Sequence, residues 1–155
     1  MNIGSGISPF NAWLLIRGLR TLPLRLNHIS QTTTKVINYL KQHHLVENLL
    51  FPFDEAFPQF HLAKQQMQGA CGLLSFCIKV QTVEQIERFC ESLQHIIMAV
   101  SWGGHESLII PKCAGIKQED FDASNKDHRM MRLYVGLEDA DYLIRDLEQA
   151  FEKMN

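Results

Sequence analysis

The chain has 155 residues, of which 46% are hydrophobic and 21% charged, with a formal net charge of −2. That length supports one domain with a real core, and the near-balanced charge leaves no basic footprint for nucleic acid. No apolar run approaches the roughly 18 residues needed to span a bilayer, and the opening MNIGSGISPF lacks the charged and apolar regions of a signal peptide.

In chain order, SPFNAWLLIRGL opens a helix, with Ser8 as its cap and Pro9 in the first turn. A second helix starts near Thr21 and Pro23. Its apolar positions Leu26, Ile29, Val36 and Leu40 repeat at helical spacing with Thr33 filling the gap, and His43 and His44 place partial positive charge at its end. LVENLLFP is a short strand ended by Pro52, and a loop with a helical piece around HLAKQQM follows. GLLSFCIKV is the clearest strand: Leu74, Phe76, Ile78 and Val80 alternate with Leu73, Ser75, Cys77 and Lys79.

Thr82 and Gln85 form a capping box in front of a stripe of Val83, Ile86, Phe89, Cys90 and Leu93. IIMAV and SLII are short strands around the Trp102–Gly104 turn, and KQEDFDASNKDHR is a polar loop with a helical turn. In the strand MMRLYVGL, Met131, Leu133 and Val135 take one face, Arg132 and Tyr134 the other. An amphipathic helix from Asp139 to Met154 closes the chain, with Leu143, Ile144, Leu147, Ala150 and Phe151 on its apolar side. The sum is an α+β fold of two layers: a roughly four-stranded, mostly antiparallel sheet with helices on one face. The second face of such a sheet is left for water or a partner.

The chemistry-bearing residues narrow quickly. Cys71, Cys77, Cys90 and Cys113 form no C-x-x-C pair and read as reduced structural thiols of a cytoplasmic protein. The seven histidines fall into no metal-ligand spacing, so no metal is expected. TTTK, Thr32 to Lys35, sits within a helix and reads as a solvated face. SWGGHESLI is denser, with a hydroxyl, an indole, two glycines, an imidazole and a carboxylate within Ser101–Glu106. Arg132 is the other outlier, a guanidinium in an apolar strand. It needs an anionic partner, either a local Asp or Glu or the carboxylate of a substrate.

Four segments, SPFNAWLLIRGLRTLPLRL, FPQFHLAKQQMQGACGLLSF, AVSWGGHESLIIP and RLYVGLEDADYLIRDLEQAF, occur in this order. Together they resemble the C-terminal domain of the Cys/Met metabolism family of pyridoxal-phosphate enzymes. The resemblance covers nearly the whole chain. It implies that residues 1–155 are the small domain of a fold-type I enzyme whose large cofactor-binding domain, with the catalytic lysine, lies outside this chain. By the same resemblance Arg132 binds the substrate α-carboxylate and Ser101 lies near the cofactor lysine. Trp102 lines the carboxylate site with its backbone, Val100 faces the substrate side chain, and Glu106 is structural. The implied activity is carbon–sulfur lysis of a small sulfur amino acid, of the cystathionine β-lyase or γ-lyase type. A cystathionine γ-synthase-type transferase, a methionine γ-lyase and a non-catalytic module built on this domain are the alternatives. The cofactor is pyridoxal phosphate in the intact enzyme, and the family implies a homo-oligomer, a tetramer when intact. Two segments depart from the family pattern: PKCAGIKQ replaces a P-A-x-M-T-H stretch, and Phe51-Pro52-Phe53 stands where a YPG segment is usual.

Overall fold

Ser8 accepts the N–H of Asn11 at 3.2 Å and starts α1, Pro9–Leu19, as its position before a proline predicts. The computed structural model describes residues 6–154; the reading of Met1–Ser5 as part of a leaderless N-terminus falls outside them. The remaining helices are α2 (Leu22–Gln42), α3 (Phe60–Gln66), α4 (Val83–Ser92) and α5 (Ala140–Glu152). The strands are β1 (Val46–Leu50), β2 (Leu73–Ile78), β3 (Ile97–Met98), β4 (Leu108–Pro111) and β5 (Met130–Tyr134). The capping box forms, with Thr82 and Gln85 satisfying each other's backbone at the start of α4. The polar stretch before β5 holds two 3-10 turns, Gln118–Asp120 and Lys126–Arg129.

The fold is α+β, but the sheet has five strands rather than four, in the order β1-β2-β5-β4-β3. Its pairings are antiparallel except the last, where β3 runs parallel to β4. The edge strand β3 is two residues long and exists through its bonds to β4, a partner that no local pattern in IIMAV encodes.

The alternation in β2 and β5 divides the sheet into two faces. Leu74, Phe76, Met131 and Leu133 are at most 2% exposed and join one core with Val36 and Leu40 of α2, Phe89 of α4 and Leu147 of α5. The register aligns Ser75, Arg132 and Ile110 in one row across the opposite face. Leu73, Tyr134 and Leu108 form the neighbouring row.

Three helix readings change. Leu26 is exposed rather than part of the apolar stripe of α2, which begins at Ile29. TTTK is only half solvated: Thr32 and Thr33 are buried, and the Thr33 hydroxyl donates to the Ile29 carbonyl at 2.7 Å, which satisfies it inside the core. His43 does not bring positive charge to the end of α2. Its ring stacks on Phe151 with centroids 4.1 Å apart, and burial, aided by the neighbouring His44, lowers its pKa.

Candidate functional site

The parallel pairing of β3 and β4 has a geometric cost. After β3 the chain must travel back to the starting end of the sheet before β4 can begin, and residues 99–107 make that return. This short crossover carries Val100, Ser101 and Trp102. The Trp102–Gly104 turn is tight, and Gly103 takes φ +89°, a conformation that glycine adopts without a Cβ clash.

Arg132 meets this crossover. Its Nη2 donates to the carbonyl of Val100. The ion pairs among the described residues are Lys41–Asp54, His105–Glu106, Lys112–Asp127, Lys117–Glu119 and Arg129–Glu47, so none involves Arg132. Arg129 shows the contrast. It lies just before the same strand and meets Glu47 at 2.5 Å in a half-buried salt bridge. The local carboxylate that could have explained Arg132 is thus not its partner. A guanidinium carries five N–H donors, and the Val100 carbonyl occupies one of its nitrogens. The remaining donors keep a fork suited to a carboxylate.

The rest of the crossover is gripped by the segment that follows Arg132. The Tyr134 hydroxyl donates to the Gly104 carbonyl at 3.0 Å, and the Leu137 N–H to the His105 carbonyl at 2.7 Å. At the downstream end, Glu138 accepts both the N–H of Ser107 at 2.8 Å and its hydroxyl at 2.7 Å. The Ser107 Oγ in turn accepts the N–H of Gly136 at 2.8 Å. At the upstream end, the carboxylate of Asp146 accepts three successive N–H groups, of Gln94, His95 and Ile96, at 2.8, 2.9 and 2.9 Å. Two of the four recognisable segments, AVSWGGHESLIIP and RLYVGLEDADYLIRDLEQAF, are therefore the two sides of one contact.

Of the residues singled out in the sequence, Val100 and Arg132 come together directly, and Ser101 and Trp102 stand next to that contact with exposed side chains. His105 and Glu106 turn to each other, Nδ1 to Oε2 at 3.0 Å, and His105 is 86% exposed. Their pairing is local to the loop. The face that carries Arg132 and Tyr134 is less open than its sequence implied: Tyr134 is only 6% exposed, and burial raises its phenol pKa, with Cys71 and Glu106 adding to the shift. The phenol therefore stays a protonated donor.

Sequence reasoning missed Tyr134, Glu138 and Asp146. Asp146 had a readable signal, because it falls three residues after Leu143 and four before Ala150, within the apolar stripe of α5, and is 2% exposed. Glu138 had none, since an acidic residue before a helix reads equally well as solvent-facing.

Among the described residues no group of three or more His, Cys, Asp or Glu side chains is placed to hold a metal ion, and no helix is long and apolar enough to cross a membrane. The four cysteines are unpaired, and burial raises the pKa of each, that of Cys90 to about 12.

Fold and site together define an α+β domain that presents a guanidinium fork beside a short crossover loop. The family model described as Cys/Met metabolism PLP-dependent enzyme matches residues 1–152, and the chain belongs to that family. It is 36% identical, over 97% of its length and 38% of the relative's, to an L-methionine gamma-lyase of Treponema denticola. It is 33% identical, over 98% of its length and 40% of the relative's, to a cystathionine gamma-lyase of Dictyostelium discoideum. Among solved structures it superimposes with a TM-score of 0.80 on a protein described as an O-acetylhomoserine (thiol)-lyase of Campylobacter jejuni, which contains N'-pyridoxyl-lysine-5'-monophosphate. That match has 34% identity and covers 97% of this chain and 37% of the other. The chain thus spans about two fifths of the length of the curated relatives it matches.

Proposed function

We propose that this chain is the C-terminal, substrate-orienting part of a pyridoxal-phosphate-dependent carbon–sulfur lyase acting on a small sulfur amino acid. One observation carries the reading. Arg132 stands on an apolar strand, takes no carboxylate partner among the described residues, and is oriented by the Val100 carbonyl with its other donors left over. Its role is to hold the substrate α-carboxylate through a charge-assisted fork. Ser101 and the backbone of Trp102 line the same site, and Val100 offers an apolar surface to the sulfur-bearing side chain.

The groups gathered here are a guanidinium, a hydroxyl, an indole and a peptide carbonyl. They suit an amino acid carboxylate, and none is an amine able to hold the cofactor aldehyde. On this reading the cofactor and its lysine belong to a large domain outside this chain. The cofactor, when bound, supplies the ring that takes up the charge left when a proton leaves the substrate α-carbon. Arg132 contributes orientation: a carboxylate held at two points has its plane and the direction of its bond to the α-carbon fixed. The reading includes a cytoplasmic homo-oligomer. A transferase of the O-acetylhomoserine type is the alternative activity, favoured by the similarity to the Campylobacter jejuni protein.

The division of labour is testable on the chain itself. Treated with pyridoxal phosphate and borohydride, the 155-residue protein should take up label weakly and over several surface lysines. A single lysine labelled stoichiometrically would contradict the proposal.

A further inference from the structure

The crossover that carries Val100, Ser101 and Trp102 is fixed at both ends by carboxylates. Asp146 holds the approach at Gln94–Ile96, and Glu138 holds the exit at Ser107. Between these ends, residues 100–105 are exposed, so no buried side chain fixes the loop's path. Three hydrogen bonds to the scaffold do: Arg132 to Val100, Tyr134 to Gly104, and the Leu137 N–H to His105. The last involves backbone only. The first uses the guanidinium that a ligand would also engage. Tyr134 is the side chain left to hold the loop whether or not a ligand is bound.

We propose that Tyr134 is a positioning residue: its hydroxyl, donating to the Gly104 carbonyl, docks the Trp102–Gly104 turn on β5 and keeps Val100, Ser101 and Trp102 beside Arg132. The inference rests on the reading of Arg132 as the carboxylate grip. Arg132 and Tyr134 are two residues apart on one strand, so their side chains leave the same face roughly 7 Å apart. They take hold of the loop at Val100 and Gly104, on either side of Ser101 and Trp102. Two points of attachment set the loop's orientation as well as its height above the sheet. The phenol is itself fixed from behind. Its ring lies over Gly72, where an added Cβ would fall 2.6 Å from a ring carbon, so the hydroxyl has little freedom to swing away.

Tyr134→Phe removes the hydroxyl and keeps the ring. In amide hydrogen exchange on the 155-residue chain, the Leu137 N–H, bonded to the loop, should exchange about five-fold faster in the variant, the weight of one neutral hydrogen bond on the docking equilibrium. The Val135 N–H, bonded to Gly72 and not to the loop, should be unchanged. In a Trp13→Phe background, acrylamide should quench Trp102 more strongly after Tyr134→Phe. A residue that only packs would leave all three readings at the wild-type level. Wild-type exchange at Leu137, or faster exchange at Val135 to the same degree, would overturn the proposal. Titration of Arg132→Ala with L-methionine tests the grip separately, because neither exchange nor quenching needs a ligand.

Discussion

The carboxylate of Asp146 receives the N–H of Ile96 at 2.9 Å, and with it those of Gln94 and His95. Asp146 comes from α5, fifty residues further along the chain than Ile96, and with both residues buried no water can take the carboxylate's place at the Ile96 N–H. Asp146→Ala would strand the buried Ile96 N–H and remove the acceptor of the Gln94 and His95 N–H groups where the chain enters β3. Loss of a buried, charge-assisted acceptor costs about 2–4 kcal/mol, which for a domain of this size lowers Tm by roughly 5–12 °C. Asp146→Asn keeps one acceptor oxygen and should lose about half as much. Thermal denaturation of the three proteins checks the order.

His43 gives a pH dependence with a definite sign. Burial is the largest cause of its lowered pKa, the charge of His44 adds to it, and Glu148 opposes it. The unfolded chain therefore binds a proton at this site at a higher pH than the folded chain does. Stability from the neutral, stacked ring is complete above the unfolded value of about 6.5 and is lost as pH falls through the folded value. His43→Phe keeps a ring against Phe151 without a titrating nitrogen. Urea midpoints measured from pH 7.5 down to 5 should fall less steeply in the variant than in the wild type. Parallel slopes would mean that other groups set the acid response.

A third expectation concerns association. No residue of α1 is buried, although Trp13, Leu15 and Ile16 lie on it at 54–58% exposure. Such a surface exceeds the scattered apolar residues a monomer tolerates. The isolated chain should form dimers or larger species in light scattering, and Leu15→Glu with Ile16→Glu should shift it toward monomer. A wild-type chain that stays monomeric at high concentration would count against this.

The parts of the fold that a local pattern encodes were readable in advance. The alternation of β2 and β5 gave both faces of the sheet, and Ser8 and the Thr82–Gln85 box gave two helix starts at the right residues. Long-range partners were not readable. IIMAV reads as a strand and contains β3, but its parallel pairing with β4 has no local signal, and Leu26 carries the helical period of α2 yet finds no core to enter. At the site, Arg132 stood out because a guanidinium in an apolar strand demands an explanation. Tyr134 did not, because a tyrosine in a strand is ordinary until its hydroxyl is seen on Gly104. The resemblance located Val100, Ser101 and Trp102, and the reason these residues accompany RLYVGLED became visible only as the contacts between the two segments.

The most direct test of the account is the kinetics of Arg132→Ala in the intact enzyme to which we assign this chain, assayed for carbon–sulfur cleavage of L-cystathionine and L-methionine. Loss of one charge-assisted fork should lower kcat/KM by about one to three orders of magnitude. Cofactor absorbance should stay as in the wild type, and Arg132→Lys should recover little, since an ammonium cannot reproduce the planar fork. Wild-type kinetics in Arg132→Ala, or loss of the cofactor in place of loss of substrate affinity, would contradict the assignment and reduce Arg132 to a structural anchor of the Val100 carbonyl.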